Sequence, residues 1–268
     1  MNEIRLAAVI VLYKELLQDS DTYKSFLAKS NLPLLVYDNS PNIQQHKVEI
    51  DYTLVSDLTN PGVSKAYNEA WIWAKKNNYS HLLLLDSDSS FPENAFHEYL
   101  IALKGHEDKL IVPSMISNSR KISPFYFKFG KSHYGENISF GKIQLGKIVA
   151  INSGLLIPLS VLNITKGFNE NLPLDWSDVY FIRKASNLNV EAIHISLNVE
   201  HGLSEHGKAA VDSVLNRFQH QIKGIKFISS SSIENIQMKF WIGLKALKYS
   251  LKFRSIKFLT LFFKHLTG

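Results

Sequence analysis

Short, unbroken apolar runs recur along the first half of the chain, each followed by a polar break and then by a helical or extended segment. Leu6–Tyr13, Leu34–Tyr37, Tyr52–Val55, His81–Leu85 and Leu110–Val112 are the runs, and they read as strands. Thr22–Lys29, Val63–Lys76 and a segment opening at Pro92 and running to about Lys104 have helical spacing; Val63, Ala66, Tyr67, Ala70 and Trp71 fall on one face of the second. A strand with no polar alternation must be covered on both faces. Strand–helix–strand order therefore predicts an α/β fold built on a mostly parallel sheet, Rossmann-like in layout. Ligands of such sheets sit at the carboxyl ends of the strands. Asp38, Asn60 and Asp86-Ser87-Asp88 all fall there, so one crevice can hold them.

The Asp86-Ser87-Asp88 group is the hardest to explain as structure alone. Four leucines, Leu82–Leu85, lead directly into two like charges set two residues apart. Solvation in a turn, with Asp88 or Ser90 capping the next helix ahead of Pro92, is the plain reading. A calcium loop needs Gly at its sixth position and Glu at its twelfth, where this chain has Phe91 and His97. An aspartate-nucleophile phosphatase places Asp-x-Asp on its first strand, with a later acidic pair of the form Gly-Asp-x-x-x-Asp, which does not follow here. The third chemistry is a divalent cation, Mg²⁺ or Mn²⁺, held by the carboxylates and bridging the diphosphate of a nucleotide sugar.

The surrounding motifs bear on that choice. Ala8–Tyr13 is similar to the opening strand of the family-2 glycosyltransferases of the GT-A fold, and Val36–Ser40 resembles their Val-x-Asp-Asn-x-Ser element. Asn60–Glu69 resembles the Asn-x-Gly stretch lining their donor site, with Ala70 where a second glycine is displaced by one. Leu82–Asp88 matches the Asp-x-Asp, and Asn152–Pro158 looks like the small-residue strand beside the transferred sugar. Gly167–Ala185 resembles the segment that supplies the catalytic base, with Tyr180 where many relatives have an acid. The order is the family's, especially that of bacterial rhamnosyltransferase-like members.

The resemblance implies an inverting, metal-dependent glycosyltransferase. It implies Asp178 as base, with Asp175 capping or orienting it. Asp86 and Asp88 are implied as metal ligands, and His201, or else His206, as a third. Tyr13, Asp38, Asn60, Gly62, Lys65, Asn68, Asp86 and Ser87 are the expected donor-nucleotide contacts. Ser153, Gly154, Asp175 and Trp176 are expected at the sugar. For each the plainer role stays open: Asp178 as a first-turn acid, Trp176 as core, Lys65 as a solvent-facing lysine, the histidines as surface groups. The best-matching donor is dTDP-rhamnose, with UDP-galactofuranose, UDP-galactose and UDP-glucose as alternatives. A phosphatase-like or non-catalytic domain is the reading from a different class.

Composition matters most at the C-terminus. Of the 30 Lys and Arg residues, seven lie between Met238 and Gly268, where no Asp or Glu occurs; the rest of the chain has 23 against 24 acids. Phe240, Leu244, Leu247 and Leu251 recur at spacings of four, three and four, while Lys245, Lys248 and Lys252 repeat those steps on another side. That pattern predicts amphipathic helices lying on an anionic membrane surface, or packed on the domain or a homodimer partner. No nucleic-acid module accompanies the charge. The expected organisation is a catalytic domain over residues 1–230, its halves 1–105 (nucleotide) and 106–230 (acceptor), and a membrane-associating tail, 231–268. Cys is absent, no run is long enough to span a membrane, and Met1–Tyr13 reads as a first strand rather than a leader. These features suit a cytoplasmic protein held peripherally at the inner face of the cell membrane, acting on a lipid-linked or growing surface polysaccharide.

Overall fold

Four of the five apolar runs become strands whose alternate residues serve two cores; Tyr52–Val55, at the sheet edge, is instead open to solvent, with Leu54 exposed. In Leu6–Leu12, Ala7, Val9 and Val11 face one cluster, while Leu6, Ala8, Ile10 and Leu12 face the other. Leu82–Leu85 divide in the same way and are wholly buried, each contributing about 1.5–3 kcal/mol to folding. The computed structural model describes residues 3–202 and 211–266. His206 lies outside the described residues.

The strands are β1 (Leu6–Leu12), β2 (Leu34–Asp38), β3 (Tyr52–Ser56), β4 (His81–Asp86), β5 (Ser89–Ser90), β6 (Leu110–Ser117), β7 (Arg120–Ser123), β8 (Phe125–Lys128), β9 (Lys131–His133), β10 (Gly141–Ile143), β11 (Ile148–Val149), β12 (Leu156–Pro158) and β13 (Ala192–His201). The main sheet runs β10-β13-β6-β12-β4-β1-β2-β3, with β5 added to β13 and β7 to β6. β3, β2, β1 and β4 are mutually parallel, β12 is inserted antiparallel between β4 and β6, and β13 returns parallel to β6. Register sets the site. Leu12 pairs with Asp38 on one side of β1, and Val11 with Asp86 on the other.

The helices are α1 (Val63–Lys76), α2 (Ala95–Leu103), α3 (Leu159–Thr165), α4 (Ser177–Asn187), α5 (Val211–Ile228), α6 (Ser232–Lys252) and α7 (Lys257–Leu266). Two sequence expectations change. Thr22–Lys29 winds mostly as a π-type turn, Tyr23–Leu27, before a single α turn. The aromatic stretch from Ser117 to Lys147, which has no clear period, holds β7 to β10; β8 and β9 join β11 in a small separate sheet.

The serine cluster before the tail is a helix start. The Ser231 hydroxyl accepts from the Glu234 N–H at 3.1 Å and caps α6. Glu234 is also gripped by Arg183 of α4, at 2.6 and 3.0 Å. Met238, Ile242 and Ala246 of α6, with Phe258 and Phe262 of α7, are buried in the larger core. The Trp241 indole N–H donates to the Phe129 carbonyl at 3.0 Å. The inner face of the C-terminal helices is thus continuous with the body of the molecule, while Phe240, Leu244, Leu247 and Leu251 point outward. Among the described residues no helix is long and apolar enough to cross a membrane.

Candidate active site

β4 ends at Asp86, and the chain turns through Ser87 and Asp88 into β5, which pairs Ser89 with His201 and Ser90 with Glu200 at the end of β13. That pairing carries a distant histidine to the carboxylates, for Ser89 and His201 are 112 positions apart. One ligand atom from each of Asp86, Asp88 and His201 lies within 4.8 Å of the others. His201 Nδ1 is 3.4 Å from Asp88 Oδ1 and 2.9 Å from the Ser89 hydroxyl. The Tyr67 hydroxyl, from α1, donates to Asp86 Oδ1 at 3.2 Å. Asp88 Oδ1 is buried and has no hydrogen-bond partner among the described residues.

Burial pushes both carboxyls up, Asp88 to about 6, with Asp86 raising Asp88 further and His201 working against the shift on each. Crowded carboxylates, an unsatisfied oxygen and an adjacent imidazole form a donor set that fits a divalent cation with oxygen and nitrogen ligands.

The turn is shaped from behind. Buried Thr22 contributes a hydroxyl 2.8 Å from the Ser89 carbonyl, which also reaches the Asp86 carbonyl, and its N–H donates to the Ser87 carbonyl at 3.2 Å. Nothing local in the sequence marks Thr22. Ser153 is buried, its hydroxyl 2.9 Å from that of Ser89, and it accepts from the Asp86 N–H at 3.4 Å. Gly154 has φ +76°, and a Cβ there would sit 2.8 Å from Pro113 Cγ, so the close approach of this loop to β6 requires glycine. Gly202, beyond His201, donates its N–H to the Asp88 carbonyl at 2.7 Å.

Asp178 lies in the first turn of α4 and accepts from the Val179 N–H at 2.7 Å. Burial lifts its carboxyl to about 6, and the charges of Asp175 and Asp86 add to the effect. The charge of Asp86 therefore reaches Asp178. Such a value suits a base working near neutrality.

Other residues singled out by sequence have additional structural duties. Asp38 is buried, accepts from the Ser40 N–H at 2.8 Å, and places Oδ2 3.6 Å from His46 Nε2. Burial lowers the pKa of His46, which the motifs do not mark, and the Asp38 charge opposes that shift. Tyr13 is half exposed, with Lys14 Nζ over its ring. Asn60 takes φ +51°, and Gly62 takes φ +95° where a Cβ would overlap the Pro173 carbonyl at 2.1 Å. Lys65 pairs with Glu69 at 2.9 Å. The Asn68 amide accepts from the Phe168 N–H at 2.8 Å and donates to Phe168 and Glu170. The start of α1 is thereby clamped to the segment that precedes Asp178. Trp176, at φ +70°, donates its indole N–H to the Gln221 carbonyl at 3.0 Å and meets Phe127 edge-on. Asp175 is held by Arg217 at 3.2 Å and by the Gln221 amide at 3.1 Å.

No protein-family model matches this chain, and no curated protein matches it. Solved structures do. GalNAc-T7 with UDP, GalNAc and Mn²⁺ has a TM-score of 0.55 at 10% identity, covering 75% of this chain and 44% of its own. TarS from S. aureus has a TM-score of 0.52 at 16% identity, covering 93% of this chain and 44% of its own. A shorter form, TarS 1–349, gives 0.52 at 14% identity, with 93% and 72% covered. The shared feature is the fold, that of GT-A glycosyltransferases, over less than half the length of the two longer chains.

Proposed function

We propose that this chain is an inverting, metal-dependent glycosyltransferase that moves a sugar from a nucleotide diphosphate donor to an acceptor hydroxyl. The observation that carries the reading is the convergence of Asp86, Asp88 and His201 at the strand ends, with Asp178 within reach of the Asp86 charge. Asp86, Asp88 and His201 would hold Mn²⁺ or Mg²⁺, which supplies positive charge to the departing diphosphate. GalNAc-T7, a fold neighbour, holds UDP, GalNAc and Mn²⁺, which supports a donor of this class. Asp178 would accept the acceptor hydroxyl proton as that oxygen attacks the anomeric carbon from the face opposite the leaving group. Asp38 and Tyr13, at the ends of β2 and β1, are the proposed contacts for the base. The donor of first choice is dTDP-rhamnose, by resemblance, ahead of the UDP-hexoses.

The test is thermal stabilisation by nucleotide sugars with and without Mn²⁺. A ligand that binds the native state at a hundred times its Kd adds about 2.7 kcal/mol of stability. Stabilisation that needs both Mn²⁺ and a dTDP- or UDP-sugar, and that Asp88→Asn abolishes, is expected. Indifference to every donor refutes the reading.

The acceptor proposed is a lipid-linked glycan at the inner face of the cell membrane. Supporting it are the exposed Phe240, Leu244, Leu247, Leu251 and Phe263, on a segment that carries seven cations and no acid. Removing the tail would strip Met238 and Ile242 from the core, so surface substitutions are the better probe. Leu244→Glu with Leu247→Glu should abolish co-sedimentation with phosphatidylglycerol vesicles. Vesicle binding retained by that variant refutes this face as the membrane contact, a wild type that does not bind refutes the membrane reading, and loss of a dimer instead would assign the face to a second copy.

A further inference from the structure

The base-bearing turn is held from outside its own segment, by two C-terminal helices. Gln221 of α5 grips it twice: its side-chain amide donates to Asp175 Oδ1 at 3.1 Å, and its backbone carbonyl accepts the Trp176 indole N–H at 3.0 Å. Lys245 of α6 then donates to Gln221 Oε1 at 2.7 Å. An amide whose oxygen is taken by an ammonium presents its N–H₂ the other way, so Lys245 fixes which end of Gln221 faces Asp175. Close packing leaves little slack, since a Cβ on Gly224 would lie 2.6 Å from Trp176 Cδ1. The turn itself needs a hold: Trp176 sits at φ +70°, a left-handed conformation that strains a bulky residue.

We propose that Gln221 and Lys245 are positioning residues: through Asp175 and Trp176 they fix the turn that carries Asp178, making α6 part of the active site. This rests on the transfer reaction proposed above. Lys245 belongs by sequence to the cationic side of the tail with Lys248 and Lys252, yet it is turned inward. Burial disfavours its charge, and the carboxylate of Asp175 opposes that effect. A lysine kept at this cost fits a specific role better than general attraction to an anionic surface.

The electrostatic consequence can be read out. Asp178 is faced by Asp175 from its own segment, Asp86 from β4 and Tyr67 from α1, with Tyr134 also within reach of its charge. Around Asp175 and Lys245 stand Arg217 and His220 of α5 and Lys248 and Tyr249 of α6. Removing the Lys245 charge leaves Asp175 less compensated, which raises Asp178. Activity on the acid side requires ionised Asp178, so the acidic limb of the pH–rate profile must move to higher pH.

The experiment compares wild type with Lys245→Met and Lys245→Arg, using a soluble acceptor analogue without vesicles. Lys245→Met should lower kcat about tenfold or more, leave donor KM within about twofold, and shift the acidic limb upward. Lys245→Arg should restore most of kcat and the limb. An unchanged kcat and limb in a folded Lys245→Met protein overturns the proposal. Should circular dichroism show that variant unfolded, Gln221→Leu takes its place: the same losses are expected, and an unchanged kcat and limb there overturn the proposal equally. A wild type inactive with every donor refutes the glycosyltransferase reading, and the proposal with it; an active wild type with an unmoved variant refutes the proposal alone.

Discussion

Two acid-bearing turns lie within reach of each other's charge, and they are held in opposite ways. Asp86-Ser87-Asp88 follows directly on the end of β4 and is held chiefly through its backbone, by Thr22 at the Asp86, Ser87 and Ser89 carbonyls and by Gly202 at the Asp88 carbonyl. Asp88 Oδ1 stays buried and without a hydrogen-bond partner among the described residues, 3.4 Å from His201 Nδ1. The turn from Asp175 to Asp178 is the reverse. Its first carboxylate is engaged by the side chains of Arg217 and Gln221, and its second accepts from the Val179 N–H. Both Asp88 and Asp178 are raised to about 6 by burial. The same shift thus arises in two settings: Asp88 is crowded against Asp86 and an imidazole, whereas beside Asp178 the charge of Asp175 is already compensated by side chains.

Kinetics should show the largest difference between the turns. Asp178→Asn should lower kcat about 10²–10⁴-fold while leaving Mn²⁺-dependent donor binding intact, whereas Asp88→Asn should lose binding as well. Equal loss of donor binding in both variants, measured by titration calorimetry, would erase the distinction.

A smaller effect lies in stability without metal. A carboxyl whose folded value stands above its unfolded one favours folding below the unfolded value, near 3.8, and loses that contribution as pH rises through about 6. Metal-free Asp178→Asn should thus be more stable than wild type at pH 7 to 8 and converge with it towards pH 4. The gain should be no more than about 2 kcal/mol, because Asp178 is partly exposed to screening water. Urea titrations at both pH values measure it, and identical curves would show that burial does not strain this acid.

Much of the first turn was legible in the sequence, and little of the second's support was. Val63–Lys76 is helical over the range its spacing predicts, and the apolar runs are strands with Asp38 and Asp86 at their ends. Period and polarity report such elements because they arise from contacts that every residue of the run makes with a core. Thr22, His46 and Gln221 carried no such signal, and Lys245 carried only that of the tail's cationic side. Each is one polar residue whose partner lies elsewhere along the chain: Ser89 is 67 positions from Thr22, and Asp175 is 46 positions from Gln221.

The tail marks the boundary between the two kinds of information. Its sequence alone determined that it would be helical, cationic and apolar, since spacing and charge are properties of neighbouring residues. Only the tertiary structure decided which side of α6 is buried. Met238, Ile242 and Ala246 went inward, and Phe240, Leu244, Leu247 and Leu251 were left facing out. Both stripes have helical period, so the pattern is satisfied either way. The choice falls to the surfaces that α4 and α5 offer: Arg183 for Glu234, and the Gln221 amide for Lys245. A helix registers its own periodicity locally, but its orientation is a free-energy difference between whole faces, and that exists only once the rest of the chain has folded.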